Sequence, residues 1–399
     1  MMRKHFIKAG WLIDGTGAGA KRDVTVCLNG ALISSIEEGA FQTEEGAGVV
    51  DLSDCTILPG LVDSHVHLFM SGTADEGIRK RQLNLCFEDA REVISRHLDE
   101  HLSCGVVAVR DGGDYGGHSL RYKRECMKQS GPVQVKSPGK AWRAAGRYGR
   151  LIGRPVSPGG RLGKAISEET APIDHIKIVN SGLNSLREFS RQGPPQFSLE
   201  ELRSAVSEAL RLGIGVMVHA NGGIPVSLAV ESGCTSIEHG FFMGDENIRM
   251  LADSGTAWVP TAFTMKAYSE GLDSGTIESR VAWQNLEHQL EQIQKANELG
   301  VVMAIGTDSG SLGVHHGSSV IEEMRLFRQA GLSVEQVVKS ATSNGALIMG
   351  LEKDLGRIAA GIPATFVAVP GGPEGLPEAL MRPEGVWING EKRVSQAIL

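Results

Sequence analysis

Residues 61–67 read Leu61-Val62-Asp63-Ser64-His65-Val66-His67, and the fold turns on this run. Its length and apolar content are those of a buried strand. Side chains alternate along a strand, so His65 and His67 project to the same face at its C-terminal end. Two imidazoles on one face can chelate a divalent ion, but two packed or solvated histidines would read the same way.

Working outward, short apolar runs recur at 106–110, 133–136, 176–180, 214–219, 236–239, 257–261 and 301–307. Amphipathic helical patterns fall between many of them, at 198–212 and 279–299, and two more follow at 318–330 and 334–349. Ser198 with Glu201 three residues later predicts a capping box. Eight strands alternating with helices over roughly 290 residues predict an α/β chain built as a (β/α)8 TIM-type barrel. A doubly wound sheet is the alternative, but it leaves the placement of the polar residues unexplained. The two ends differ from the middle. Short strand-like runs at 6–13, 24–28, 32–37, 365–369 and 385–388 are separated by Gly, Asn and Asp turns. They predict a small β-sandwich domain assembled from residues 1–58 plus 352–399, with 59–351 as the barrel.

Composition narrows the function. Of 399 residues, 41% are apolar and 22% charged, the range of a globular protein. A formal net charge of −7 lacks the basic excess of a nucleic-acid binder. The longest uncharged run, 212–230, contains His219, Asn221, four glycines and Pro225, which suits a strand and turn rather than a membrane span. The basic start is followed by an apolar stretch at 6–12 too short and interrupted for a secretory signal. Six scattered cysteines without a CxxC pair predict free thiols and a cytoplasmic location. The expected partner is a small-molecule substrate, with no nucleic acid and no membrane; a homo-oligomer stays open.

Chemistry-bearing residues close the strands. His219 ends 215–219, His239 ends 236–239, and Asp308 follows 303–307. In a barrel of this type these ends share one face, where active sites lie. Lys177 sits among apolar neighbours in the strand around 175–179. A buried lysine is paired or neutral, and a neutral amine can form a Schiff base or take up CO2 to give a carbamate. A Schiff-base lyase has no use for the surrounding histidines, which favours the carbamate.

These residues, together with Ile57-Leu58-Pro59-Gly60, Val109-Arg110-Asp111-Gly112-Gly113, His219-Ala220-Asn221-Gly222 and Gly306-Thr307-Asp308, resemble the metal-dependent amidohydrolase superfamily. The likeness is to its imidazolonepropionase and prolidase-like branch and covers nearly the whole chain. The resemblance implies a binuclear metal centre, with His65, His67 and Asp308 on one ion and His219 and His239 on the other. Zinc is the metal implied, bridged by hydroxide and by N6-carboxylysine at Lys177. The implied reaction is hydrolysis of a C–N bond of amide, peptide or N-acyl amino acid type. Metal-bound hydroxide attacks and Asp308 shuttles the proton. A deaminase or cyclic-amide hydrolase of the same superfamily is the alternative. Related deaminases carry Glu three residues after the strand-five histidine, where this chain has Gly222. Arg143, Arg147 and Tyr148 in the loop 139–150 are the substrate candidates, since guanidinium groups grip carboxylates. His315-His316 read as surface histidines, with pocket residues as the alternative, and Trp258 and Phe263 as packing, with pocket walls as the alternative.

Overall fold

The computed structural model describes residues 4–39, 48–127, 131–157 and 159–394; the basic opening Met1–Arg3 lies outside them. Four strands come first: β1 (Lys4–Leu12), β2 (Lys21–Asn29), β3 (Leu32–Glu38) and β4 (Gly48–Pro59). The middle supplies β5 (Leu61–Val66), β6 (Val106–Asp111), β7 (Gln134–Lys136), β8 (Ala141–Arg143) and β9 (Gly153–Pro155). It continues with β10 (His175–Val179), β11 (Gly215–Ala220), β12 (Ser236–His239) and β13 (Ala257–Val259). The end adds β14 (Phe366–Pro370), β15 (Gly385–Ile388) and β16 (Glu391–Val394).

Strands from both termini share one seven-stranded sheet, ordered β16-β15-β14-β4-β1-β2-β3. Its apolar face buries Ile7, Leu12, Ile57, Phe366 and Trp387, and the last two rings stack at 4.8 Å. The middle strands pair in parallel, as β5-β6-β7 and as β13-β12-β11-β10-β8-β9. Every residue of β5, β6 and β10 is buried. Burial on both faces is what parallel strands covered by helices require, and it accounts for their unbroken apolar character.

The capping box forms: Glu201 N donates to Ser198 Oγ and Ser198 N to Glu201 Oε2, starting the helix Leu199–Leu212. Gly213 ends it in the left-handed conformation, where a glycine costs least. Two expectations need correction. The pattern over 334–349 is two helices, Val334–Ala341 and Ser343–Ile348, broken at Thr342 (φ −135°, ψ −87°). Residues 301–307 are not a continuous strand, because two of their backbone donors leave the ladder for other partners. Ile305 N donates to Ser340 O, and Thr307 N to the Asp63 carboxylate. The segment still ties two sheet edges together. Ala304 N donates to Trp258 O at 2.9 Å on one side, and Ser64 N to Ile305 O at 2.9 Å on the other.

Candidate active site

The C-terminal ends of β5, β10, β11 and β12 and the segment before Asp308 converge on one cavity of about 300 Å³. His65, His67, Lys177, His219, His239 and Asp308 all line it. Asp308 Oδ1 lies 3.5 Å from His65 Nε2 and 3.3 Å from His67 Nε2, so three donor atoms face a common point. The rings of His219 and His239 are 4.5 Å apart, and His239 is 5.0 Å from His65.

Each of the four imidazoles is held by one nitrogen. His65 Nδ1 meets Glu238 Oε2 at 2.7 Å, and His67 Nδ1 meets the Gly113 carbonyl at 3.0 Å. His219 Nε2 meets the Gly182 carbonyl at 3.2 Å, and His239 Nδ1 meets Thr261 Oγ1 at 2.7 Å. This is the pattern of ligating histidines, in which an outer partner orients the ring and leaves the second nitrogen for a metal; the carboxylate and the two carbonyls also fix the tautomers of His65, His67 and His219. The donor set therefore fits a divalent cation such as zinc.

Glu238 extends this support inward. Its other oxygen accepts from Arg110 Nη2 at 2.7 Å, while Arg110 Nε reaches the Ser64 carbonyl at 2.8 Å. Burial works to raise the Glu238 carboxyl, but Arg110 and the hydrogen bond to His65 hold it well below the usual carboxylate range. Asp63 accepts from Thr307 N and Oγ1, pinning the segment that carries Asp308; burial pushes its carboxyl up to about 7. Lys177 is 1% exposed, and its Nζ has no hydrogen-bond partner. Burial pushes its amine down to about 8, so an appreciable neutral fraction is present near neutral pH.

His239, Thr261 and Asp308 have φ of 68°, 48° and 58°. Non-glycine residues rarely adopt this left-handed region, and such strain clusters at functional sites. At His239 it also breaks the alternation of the strand.

The loop candidates divide. Tyr148 lines the cavity, with its ring 5.5 Å from that of His219. Arg143 and Arg147 are not among the lining residues. Arg143 Nη1 donates to the carbonyls of Ala144 and Arg147, and Arg147 Nη2 to that of Pro194. The arginine on the cavity is Arg79, unremarked in the sequence because it stands in the charged run Arg79-Lys80-Arg81. His316 also departs from expectation: it is buried, while His315 is exposed. Gly317 N donates to His101 Nδ1, so His101 Nε2–H donates to His316 Nδ1 and His316 Nε2–H to the Met70 carbonyl. His97 stacks on His316 at 3.9 Å and holds the Leu68 carbonyl. Burial keeps this cluster neutral, with His97 pushed down to about 4 and His101 to about 3. It clamps the loop after β5 to the loop before the helix Ser318–Gln329.

Among the described residues, no helix is long and apolar enough to cross a membrane.

The fold and this constellation define a class, and comparison with known proteins agrees. The chain belongs to the amidohydrolase family, whose profile matches residues 56–393. It is thus an enzyme of a family of hydrolases acting on carbon–nitrogen bonds. It is 27% identical over 372 residues to the ochratoxinase of Aspergillus niger, covering 84% of this chain and 75% of that one. It is 24% identical over 382 residues to an imidazolonepropionase of Porphyromonas gingivalis, covering 88% and 82%. Among solved structures it resembles a Xaa-Pro dipeptidase with methionine bound in its active site. That match has a TM-score of 0.82 and 28% identity, covering 98% of this chain and 99% of the other.

Proposed function

We propose that this protein is a binuclear metal-dependent hydrolase that cleaves an amide-type C–N bond in a small molecule. Its (β/α)8 barrel would span 59–351, and the small β domain expected from the two ends corresponds to the single seven-stranded sheet rather than to a sandwich of two. The observation that carries the reading is the set of four histidines around Asp308, each held by an outer partner, with an unpartnered lysine amine beside them. His65, His67 and Asp308 would hold one ion and His219 and His239 the other. Lys177, carboxylated by CO2 through its neutral amine, would supply a bridging anion; the lone buried Nζ is the feature it explains. Bound there, the metals would polarise the scissile carbonyl and lower the pKa of water toward neutrality.

The chain's own residues do the rest. Asp308 takes the proton from the attacking water and returns it to the leaving nitrogen. Its Oδ2 accepts one hydrogen bond, from Ser311 Oγ at 2.9 Å, and keeps a free lone pair for that transfer. Arg110 and Glu238 hold the His65 ring. Tyr148, Phe241 and Met265 line the cavity and exclude water around the reacting bond.

A panel of N-acyl amino acids, dipeptides and lactams tests the reading. The zinc-loaded protein is expected to release a free amine from at least one of them, and a chelator to abolish the release. Turnover that survives complete metal removal would overturn the metal mechanism, and ammonia as the sole product would favour the deaminase reading.

A further inference from the structure

Arg79 is the one arginine that lines the cavity, and its guanidinium stays charged across the working pH range. Its helical neighbour Lys80 is spent on Glu76 at 2.8 Å, yet no Asp or Glu among the described residues pairs with Arg79. Its hydrogen bonds all leave through Nη1, to the carbonyls of Ser71 at 2.9 Å, Thr73 at 3.5 Å and Gly310 at 3.2 Å. Nε and Nη2 make no hydrogen bond to the described residues, which leaves one edge of the guanidinium available. The anchoring places it beside the metal-type residues. Gly310 follows Asp308 by two residues, and a Cβ there would meet the His67 and Met70 carbonyls at 2.8 and 2.9 Å. Tyr268, also on the cavity, feels both the Arg79 charge and the Asp308 carboxylate. The cavity also carries an apolar stretch. Leu151 and Leu183 line the cavity while remaining 38% and 67% exposed, and Ile152 and Leu186 lie with them. Apolar side chains left facing water around a pocket are what a ligand's apolar part would cover.

We infer that Arg79 anchors a carboxylate of the substrate, and that the leucine-lined wall takes an apolar arm on the other side of the scissile bond. The substrate is then an N-acyl amino acid with an apolar acyl group. This rests on the hydrolase reading above and assigns the carboxylate to Arg79 rather than to Arg143 or Arg147.

The test compares N-benzoyl-L-leucine with its carboxamide on wild type, Arg79→Met and Arg79→Lys, each with measured metal content. Arg79→Met is expected to lower kcat/KM for the acid roughly ten- to a hundredfold, mainly through KM, and for the amide less than about threefold. Arg79→Lys should recover part of the loss on the acid. Equal losses on both compounds would make Arg79 a structural bridge between Ser71 and Gly310 and overturn the inference. If wild type turns over neither compound, calorimetric binding of the same pair separates the two claims. Acid binding that depends on Arg79 would keep the anchor while the hydrolase reading falls; binding of neither, or binding indifferent to Arg79, would remove the anchor.

Discussion

Asp308→Asn is expected to lower kcat by roughly two to four orders of magnitude, the usual worth of a positioned general base. The substitution is well matched to the backbone. Asp308 sits at φ 58°, and asparagine enters the left-handed region as readily as aspartate does. The amide keeps an oxygen toward His65 and His67, now 3.5 and 3.3 Å from Oδ1. What it loses is the ability to accept a proton at neutral pH. Metal content measured on the same sample separates lost chemistry from lost ligation. A fully loaded variant with near-normal turnover would remove Asp308 from proton transfer.

Glu238→Gln should cost about 3–5 kcal/mol of stability, the range for a buried ion pair that loses one partner. Glu238 is fully buried, and Arg110 beside it is 2% exposed, so neither can turn to water. The variant leaves the guanidinium without its counter-charge and turns a charge-assisted contact to His65 into a neutral one. Metal affinity should fall roughly ten- to a hundredfold with it, as for other outer partners of ligating histidines. Chemical denaturation of the metal-free protein reads the first effect and competition with a chelator the second. The double variant Glu238→Leu with Arg110→Met should regain part of the stability, because no unpaired charge remains. A single-variant loss below about 1 kcal/mol would show that the pair is not the buried support described above.

The residues that strand periodicity governs were legible in the sequence. Alternation places His65 and His67 on one cavity although the strand itself stops at Val66, and His219 and Asp308 stand where apolar runs end. Glu238 was not legible. Beside His239 in a strand, alternation puts it on the opposite face, and the left-handed φ at His239 departs from that regular geometry. Its partner His65 is 173 residues away, a separation that no local pattern encodes. The loop 139–150 was legible only in part, since Tyr148 lines the cavity and the two arginines do not. A cluster of arginines signals an anion site only if the guanidinium groups turn inward, and here Arg143 and Arg147 turn to backbone carbonyls. Arg79 was hidden by the opposite bias, since a basic run on a short helix reads as a solvated face. The segment 301–307 has the composition of a strand, but two of its donors, Ile305 N and Thr307 N, go to Ser340 and Asp63, tertiary partners that composition cannot announce.

Elemental analysis of protein reconstituted with zinc and bicarbonate tests the two-metal centre most directly, with Lys177→Ala prepared in parallel. Wild type is expected to hold about two ions per chain and Lys177→Ala about one or fewer, with most activity lost, because the bridging anion goes with the amine. One ion or none in the loaded wild type, or a Lys177→Ala variant that keeps two ions and a normal rate, would contradict the account.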